Sequence, residues 1–202
     1  MTVGNITGNA SGSYSATTRR VINLGNISAA GTVNFNAYSG GIGTGTLGSS
    51  ATPVNNLTLS TNSTSAGGAI GTGAIEANAL NLQAGASSGI TTGTINATAA
   101  ASGSNIYMQA VGAINTGSIN SASATPSSVT LYSNTSVSAG TVQASDLNVS
   151  RVSGATNPTV SIGAVGGIRP GRYVGVQGGA TTIGPITLDG ALASRQVFLD
   201  AS

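Results

Sequence analysis

Among the 202 residues, the side chains able to do acid–base or nucleophilic chemistry are few. The acids are Glu76, Asp146, Asp189 and Asp200, and the positive charges are Arg19, Arg20, Arg151, Arg169, Arg172 and Arg195. The chain has no His, Cys or Lys. Hydrolysis of a glycosidic bond needs two carboxylates facing each other across it, and eliminative cleavage of a polysaccharide needs a cation or basic group beside several acids. Four acids scattered over the sequence supply neither arrangement. Without His, Cys or Lys, the usual groups for proton transfer near neutrality and for covalent catalysis are missing. No glycine-rich phosphate loop opens a helix, because no helical periodicity exists to follow one. The expectation is a protein without catalysis, cofactor or metal site.

The net charge of +2 is spread thinly, with no basic stripe and only 3% aromatic residues. Nucleic-acid binding draws on many phosphate contacts and on stacking rings, so it is not expected either. The abundant chemistry is the small hydroxyl: 28 Ser and 26 Thr, together 54 residues. A flat ladder of Thr side chains can bind ice. After each repeated Gly the chain reads Thr46, Ala74, Thr94, Ser118 and Thr141, which stacks hydroxyls. Two residues further on it reads Gly48, Glu76, Asn96, Asn120 and Gln143, so the face does not continue as Thr. Ice binding is therefore a minor expectation, which thermal hysteresis of the purified chain would decide.

What positions these groups is a repeat. Ile90-Thr91-Thr92-Gly93-Thr94-Ile95, followed by Ile106-Tyr107-Met108, has counterparts upstream and downstream. They are Ile70-Gly71-Thr72-Gly73-Ala74-Ile75 with Leu80-Asn81-Leu82, and Ile114-Asn115-Thr116-Gly117-Ser118-Ile119 with Val129-Thr130-Leu131. The Gly before the closing apolar residue falls at Gly25, Gly45, Gly73, Gly93, Gly117 and Gly140, in steps of 20 to 28 residues. Such a period marks a stacked-repeat architecture. Alternation of apolar and small polar residues predicts strands with one buried face. Ile70 and Ile75 lie an odd number of positions apart, so one continuous strand cannot bury both. A corner at Thr72-Gly73 resolves this, with the six glycines expected there because Gly takes positive φ without penalty. A second corner is expected at Asn78-Ala79, since Ala77 and Leu80 should both face inward.

Each coil thus has three short strands and three corners over about 20–28 residues. One coil holds too few large apolar residues to offset its ordering entropy, so stability must come from neighbouring coils. The predicted fold is all-β: a right-handed parallel β-helix, the hand following from the strong preference of parallel crossovers. Residues 1–202 read as a single β-solenoid, with the most regular coils at 20–150 and looser ones at 151–202. Coil length is expected to vary mainly at one corner, where GSSATPVNN, NATAAASGSN and NSASATPSS alternate with the short EANA and QASD. Loops tolerate such insertions at little thermodynamic cost, and here they should emerge on one side of the rod. Arg169-Pro170-Gly171-Arg172 reads as an exposed turn made soluble by charge.

No apolar run reaches the roughly 18 residues of a membrane-spanning helix. The N-terminal stretch lacks the basic and apolar regions of a signal peptide, and excision from a longer chain is the favoured explanation. Eight sequons begin at Asn5, Asn9, Asn26, Asn56, Asn62, Asn96, Asn134 and Asn148. Glycosylation is thus an expectation that intact mass would check.

The phrases GNISAAGTVNFNA, GAIEANALNLQAG and GTVQASDLNVS resemble the filamentous-haemagglutinin repeats of two-partner-secretion exoproteins. The shared pattern falls on Gly73, Ile75, Ala77, Leu80 and Leu82, and again on Gly140, Val142, Ala144, Leu147 and Val149. It covers roughly residues 20–150 well and is periodic rather than a unique motif. The resemblance implies an adhesin shaft, secreted to the extracellular space or bacterial cell surface. Its partners would be neighbouring coils or subunits of the same protein and a host-cell or matrix surface. The alternative expectation is a subunit that stacks end to end into an extracellular fibre.

Overall fold

The protein is seen in a computed structural model that describes residues 1–8, 12–28, 31–61, 68–85, 87–97, 105–121, 128–154, 156–168, 173–188 and 196–200. These residues form parallel strands and, among them, no helix. The strands stack coil upon coil into a β-solenoid with three faces.

Sequence alternation sets each face. On the first, Ile22, Ile42, Ile70, Ile90, Ile114, Val137 and Val160 pair residue for residue in one column. On the second, the column runs Ile6, Ile27, Leu47, Ile75, Ile95, Ile119, Val142, Val165 and Ile186. On the third, two residues of each strand face in. One column runs from Tyr14 through Val33, Leu57, Leu80, Ile106, Val129, Leu147 and Val174 to Val197. The other runs from Ala16 through Phe35, Leu59, Leu82, Met108, Leu131, Val149 and Val176 to Leu199. Apart from the outermost members, these side chains are almost wholly inaccessible to solvent. Burying each is worth about 1.5–3 kcal/mol relative to exposure. On the first face Ile22, Ile42, Ile70, Ile90 and Ile114 stack Ile on Ile, so identical β-branched shapes nest there.

The coils after residue 150 keep this register. Val160 pairs with Val137, Val174 with Leu147 and Val197 with Val174. The one irregularity is a register shift between Val165 and Ile168, beside Gly167 at φ +76°. A glycine there adopts the left-handed conformation that a bulge uses.

Ala77 and Leu80 both face inward as expected, but two sequence-based expectations need correction: three separate short strands in every coil, and length variation mainly at one corner. Asn78-Ala79 does not interrupt pairing to the preceding coil: Ile75–Ala84 is one ten-residue strand, with Ala77 opposite Val54 and Ala79 opposite Asn56. The change of face between Ala77 and Leu80, both buried, is a bend within the ladder to the preceding coil, while pairing to the next coil stops at Glu76–Asn96 and resumes at Leu80–Ile106. Coil length also varies at two corners rather than mainly one. From the second face to the third, Ile75 and Leu80 are five positions apart, but Ile95 and Ile106 are eleven. From the third face back to the first, Met108 and Ile114 are six apart, but Leu59 and Ile70 are eleven. The insertions at 62–67, 98–104 and 122–127 lie outside the described residues, and so does the 169–172 turn.

Candidate interaction surface and the glycine corner

The corner between the first and second faces is the same in every coil. The inward residues flanking it are always five positions apart, from Ile22 and Ile27 to Val160 and Val165. Gly25, Gly45, Gly73, Gly93, Gly117 and Gly140 occupy it, joined by a backbone ladder. Gly45 N donates to Gly25 O at 3.2 Å, Gly73 N to Gly45 O at 3.1 Å and Gly93 N to Gly73 O at 3.1 Å. The ladder goes on from Gly117 N to Gly93 O at 3.3 Å and from Gly140 N to Gly117 O at 3.2 Å. Gly4, which accepts from Gly25 N at 3.3 Å, extends it at one end. Gly163 and Gly184 sit at the same place in later coils, two residues before Val165 and Ile186. A sequence search beyond residue 150 for Gly two residues before a Val or Ile and three after another would have found Gly163.

The reason for glycine differs from the one expected. Positive φ occurs at Gly48, Gly154 and Gly167 among the described glycines, and none of these is in the corner column. The constraint is the neighbouring coil. A Cβ on Gly73 would lie 3.0 Å from Gly45 C, and one on Gly93 3.0 Å from Gly73 C and Ala74 N. On Gly117 it would lie 2.9 Å from Thr94 N, and on Gly45 only 2.2 Å from Asn26 Oδ1. Glycine is there because the next rung lies so near that any side chain would press on it.

Four of these glycines follow a threonine, while Gly25 follows Leu24 and Gly140 follows Ala139. Thr44, Thr72, Thr92 and Thr116 each donate through Oγ1 to the carbonyl of the following Gly, at 3.0, 3.0, 3.0 and 2.8 Å. These hydroxyls satisfy the turn backbone and leave their methyl groups for packing. On the outer side, Asn5 Oδ1 accepts from Asn26 N at 2.9 Å, and Asn26 Oδ1 from Thr46 N at 2.8 Å. Ser118 Oγ accepts from Thr141 N at 3.3 Å in a later coil.

The acids lie apart. Glu76 pairs in register with Asn96, Asn96 with Asn120 and Asn120 with Gln143, the residue three before Asp146. Glu76 and Asp146 are therefore three coils apart, or about 14 Å along the axis at the usual strand spacing. A glycosidase pair spans at most about 9.5 Å. Each carboxylate also holds structure: Glu76 Oε1 accepts from Asn96 Nδ2 at 2.6 Å, and the buried Asp146 accepts from Tyr173 N at 3.1 Å. Asp189 lies outside the described residues.

The third face presents the surface that sequence reasoning missed. Between its inward columns, alternate residues point out in two more. One runs Asn34, Thr58, Asn81, Tyr107, Thr130 and Asn148, and its neighbour runs Asn36, Ser60, Gln83, Gln109, Tyr132 and Ser150. Every side chain in this stripe is polar and uncharged. Tyr107 and Tyr132 meet edge to face, with centroids 5.8 Å apart and planes at 84°. Tyr107 donates its hydroxyl to Gln109 Oε1, and Asn148 Nδ2 donates to Tyr132 at 3.1 Å. Gln83 Nε2 donates to Asn81 Oδ1 at 3.1 Å. Burial first, and then the neighbouring Tyr132, push the Tyr107 phenol above its ordinary value, so it stays a neutral donor near neutral pH.

Beside Tyr107 the stripe opens into a shallow groove of about 220 Å³. Ala79, Leu80 and Tyr107 line it together with Asn56, Asn81 and Asn105. The signal available in sequence was the pair of tyrosines at outward positions of strands otherwise carrying Asn, Gln, Ser and Thr. Asn5, Asn26, Asn96, Asn134 and Asn148 all engage their side chains in hydrogen bonds. Asn56 is exposed and, among the described residues, its side chain makes none. Asn9 and Asn62 lie outside the described residues.

No protein-family model matches the chain, and neither the curated proteins nor the solved structures contain a match to it.

Proposed function

We propose that this β-solenoid is the structural and adhesive shaft of a large secreted surface protein, without catalysis, of the filamentous-haemagglutinin-like kind its repeats resemble. The observation that carries the reading is the in-register stacking of three ladders along the rod. Such a stack makes length cheap to add and projects surface residues at fixed intervals. The separation and structural use of Glu76 and Asp146 support the non-catalytic part. Extracellular or bacterial cell-surface placement, a host-cell or matrix partner, and the absence of a nucleic-acid partner, cofactor or metal belong to the same proposal. Beads coated with the purified rod test it on cultured cells and immobilised matrix proteins. Saturable adhesion supports the reading, and retention no better than with uncoated beads removes its adhesive half.

A second reading, a subunit stacking end to end into an extracellular fibre, is favoured by one observation. The last described strand, Gln196–Asp200, leaves Val197 45%, Phe198 58% and Leu199 52% exposed. Val197 and Leu199 belong to the core columns that begin at Tyr14 and Ala16. A further coil would cover them, whether from the same chain or from a second copy, and unpaired strand edges invite such addition. Electron microscopy separates the two readings: filaments support the fibre, and discrete short rods exclude it. Ice binding is the weakest reading, because Ala74 breaks the outward hydroxyl column and Asn5, Asn26 and Ser118 use their side chains to hold the next coil.

A further inference from the structure

The groove beside Tyr107 and the stripe it opens from share three properties that together select a ligand. The first is neutrality. From Asn34 to Ser150 neither outward column carries a charge, so nothing there compensates a phosphate, sulfate, carboxylate or ammonium group. The second is the density of side-chain amides and hydroxyls, which offer donor and acceptor side by side. That pairing matches the adjacent hydroxyls of a sugar ring, each of which donates and accepts. The third is the presence of Tyr107, Ala79 and Leu80 in the groove lining, which offers an apolar surface for the C–H face of such a ring.

We propose that this groove binds a neutral, extended polysaccharide, with one sugar ring against Tyr107 and the chain running along the rod axis. The proposal rests on the adhesive reading above and names the ligand class of that rod. A volume of about 220 Å³ lies below the roughly 300–1,000 Å³ of drug-sized pockets. One ring fits, and further contact must come from neighbouring rungs. Strands repeat every 4.8 Å or so along the axis, close to the length of one sugar residue in an extended chain, so successive rings meet successive strands. A peptide is a poorer occupant. The backbone groups of these strands are spent in ladders to both neighbours, leaving no edge to extend, and the stripe holds no charge to pair.

Titration calorimetry of the intact rod with cellohexaose, mannohexaose and hexagalacturonate tests the proposal. At least one neutral hexasaccharide should bind with a Kd of about 1 mM or tighter, and the anionic hexamer about tenfold more weakly or not at all. Tyr107→Ala should weaken the neutral complex about fivefold or more, through the lost ring surface. Asn56→Ala should weaken it as well. Because Asn56 is exposed and makes no side-chain hydrogen bond among the described residues, that variant keeps the test valid if Tyr107→Ala misfolds. Ser28→Ala, on the second face, should leave affinity unchanged.

The proposal is overturned if neither neutral hexasaccharide binds the folded rod. It is also overturned if hexagalacturonate binds as tightly, or if affinity survives the groove substitutions that fold. Bead adhesion measured in parallel separates the two ideas. A rod that adheres to cells or matrix yet binds no neutral glycan sinks this proposal and leaves the adhesive reading. A rod that does neither removes both.

Discussion

Two corners of the same coil tolerate change very differently. Between the first and second faces the inward residues are five positions apart in every coil from Ile22 to Val165. Between the second and third faces the spacing runs from five, at Ile75 and Leu80, to eleven, at Ile95 and Ile106. The glycine corner lies directly against its neighbours above and below, with would-be Cβ contacts of about 3 Å to backbone. An extra residue there has nowhere to go except into the next coil. At the other corner an extra residue leaves sideways into solvent, where loop closure grows only slowly with length.

Several experiments would break or sharpen that contrast. The largest effect is expected from inserting one Ala between Thr92 and Gly93. It shifts one face by a residue, turning inward side chains out, and cooperative unfolding in guanidinium should be lost. The same insertion between Ser50 and Ala51, at the permissive corner, should move the unfolding free energy by less than about 0.5 kcal/mol. Equal damage from the two would end the comparison.

Ile90→Ala removes most of a fully buried side chain from the middle of a column and should destabilise by about 2–5 kcal/mol. Gly93→Ala, pressed against Gly73 and Ala74, should cost about 1–3 kcal/mol through overpacking. A neutral result for Gly93→Ala would mean that the rungs separate easily and that close stacking is not why glycine is there. Thr92→Val should have the smallest effect of the three substitutions, about 1 kcal/mol or less. The Gly93 carbonyl it abandons still accepts from Gly117 N at 3.3 Å, and the equivalent position in the next-but-one coil is already Ala139.

pH offers a probe of the outer face. The Tyr107 phenol titrates above its ordinary value, so the folded state favours its neutral form. Its contribution to stability is complete below pH 10 or so and declines as pH rises through the folded-state value. Tyr107→Phe should therefore flatten the alkaline end of the stability curve, measured by urea unfolding between pH 8 and 11. An unchanged slope would show that the phenol is freely solvated.

The columns were legible in sequence because their physical cause is local. An apolar residue every second position defines a buried face, and the odd Ile70-to-Ile75 step forces a corner without reference to other coils. The cause of glycine at that corner was not legible, because it lies in the neighbouring coil. Only the stacked structure brings Gly73 C to 3.0 Å from where a Cβ of Gly93 would be. The corner at Asn78-Ala79 is legible from the change of side-chain facing, but not that the ladder to the preceding coil runs through it, because pairing depends on backbone groups that carry no sequence signature. The Tyr107 groove escaped for a related reason. Its lining gathers Asn56, Asn81 and Asn105 from three successive coils, and no spacing within one coil predicts their meeting.

The constant glycine corner also bears on how such a rod changes over generations. Because every coil enters and leaves that corner in the same way, the stretch from one glycine to the residue before the next is a self-contained unit of inheritance. Removing residues 73–92 joins Thr72 to Gly93, restores the motif across the junction, and sets Leu57 opposite Ile106 in the same column. The same splice run in reverse adds a rung. Slippage or unequal recombination at the repeated Thr-Gly step can thus lengthen or shorten the rod in whole coils, with the hydrophobic columns staying in register and each new coil bringing its own outward side chains for selection to act upon.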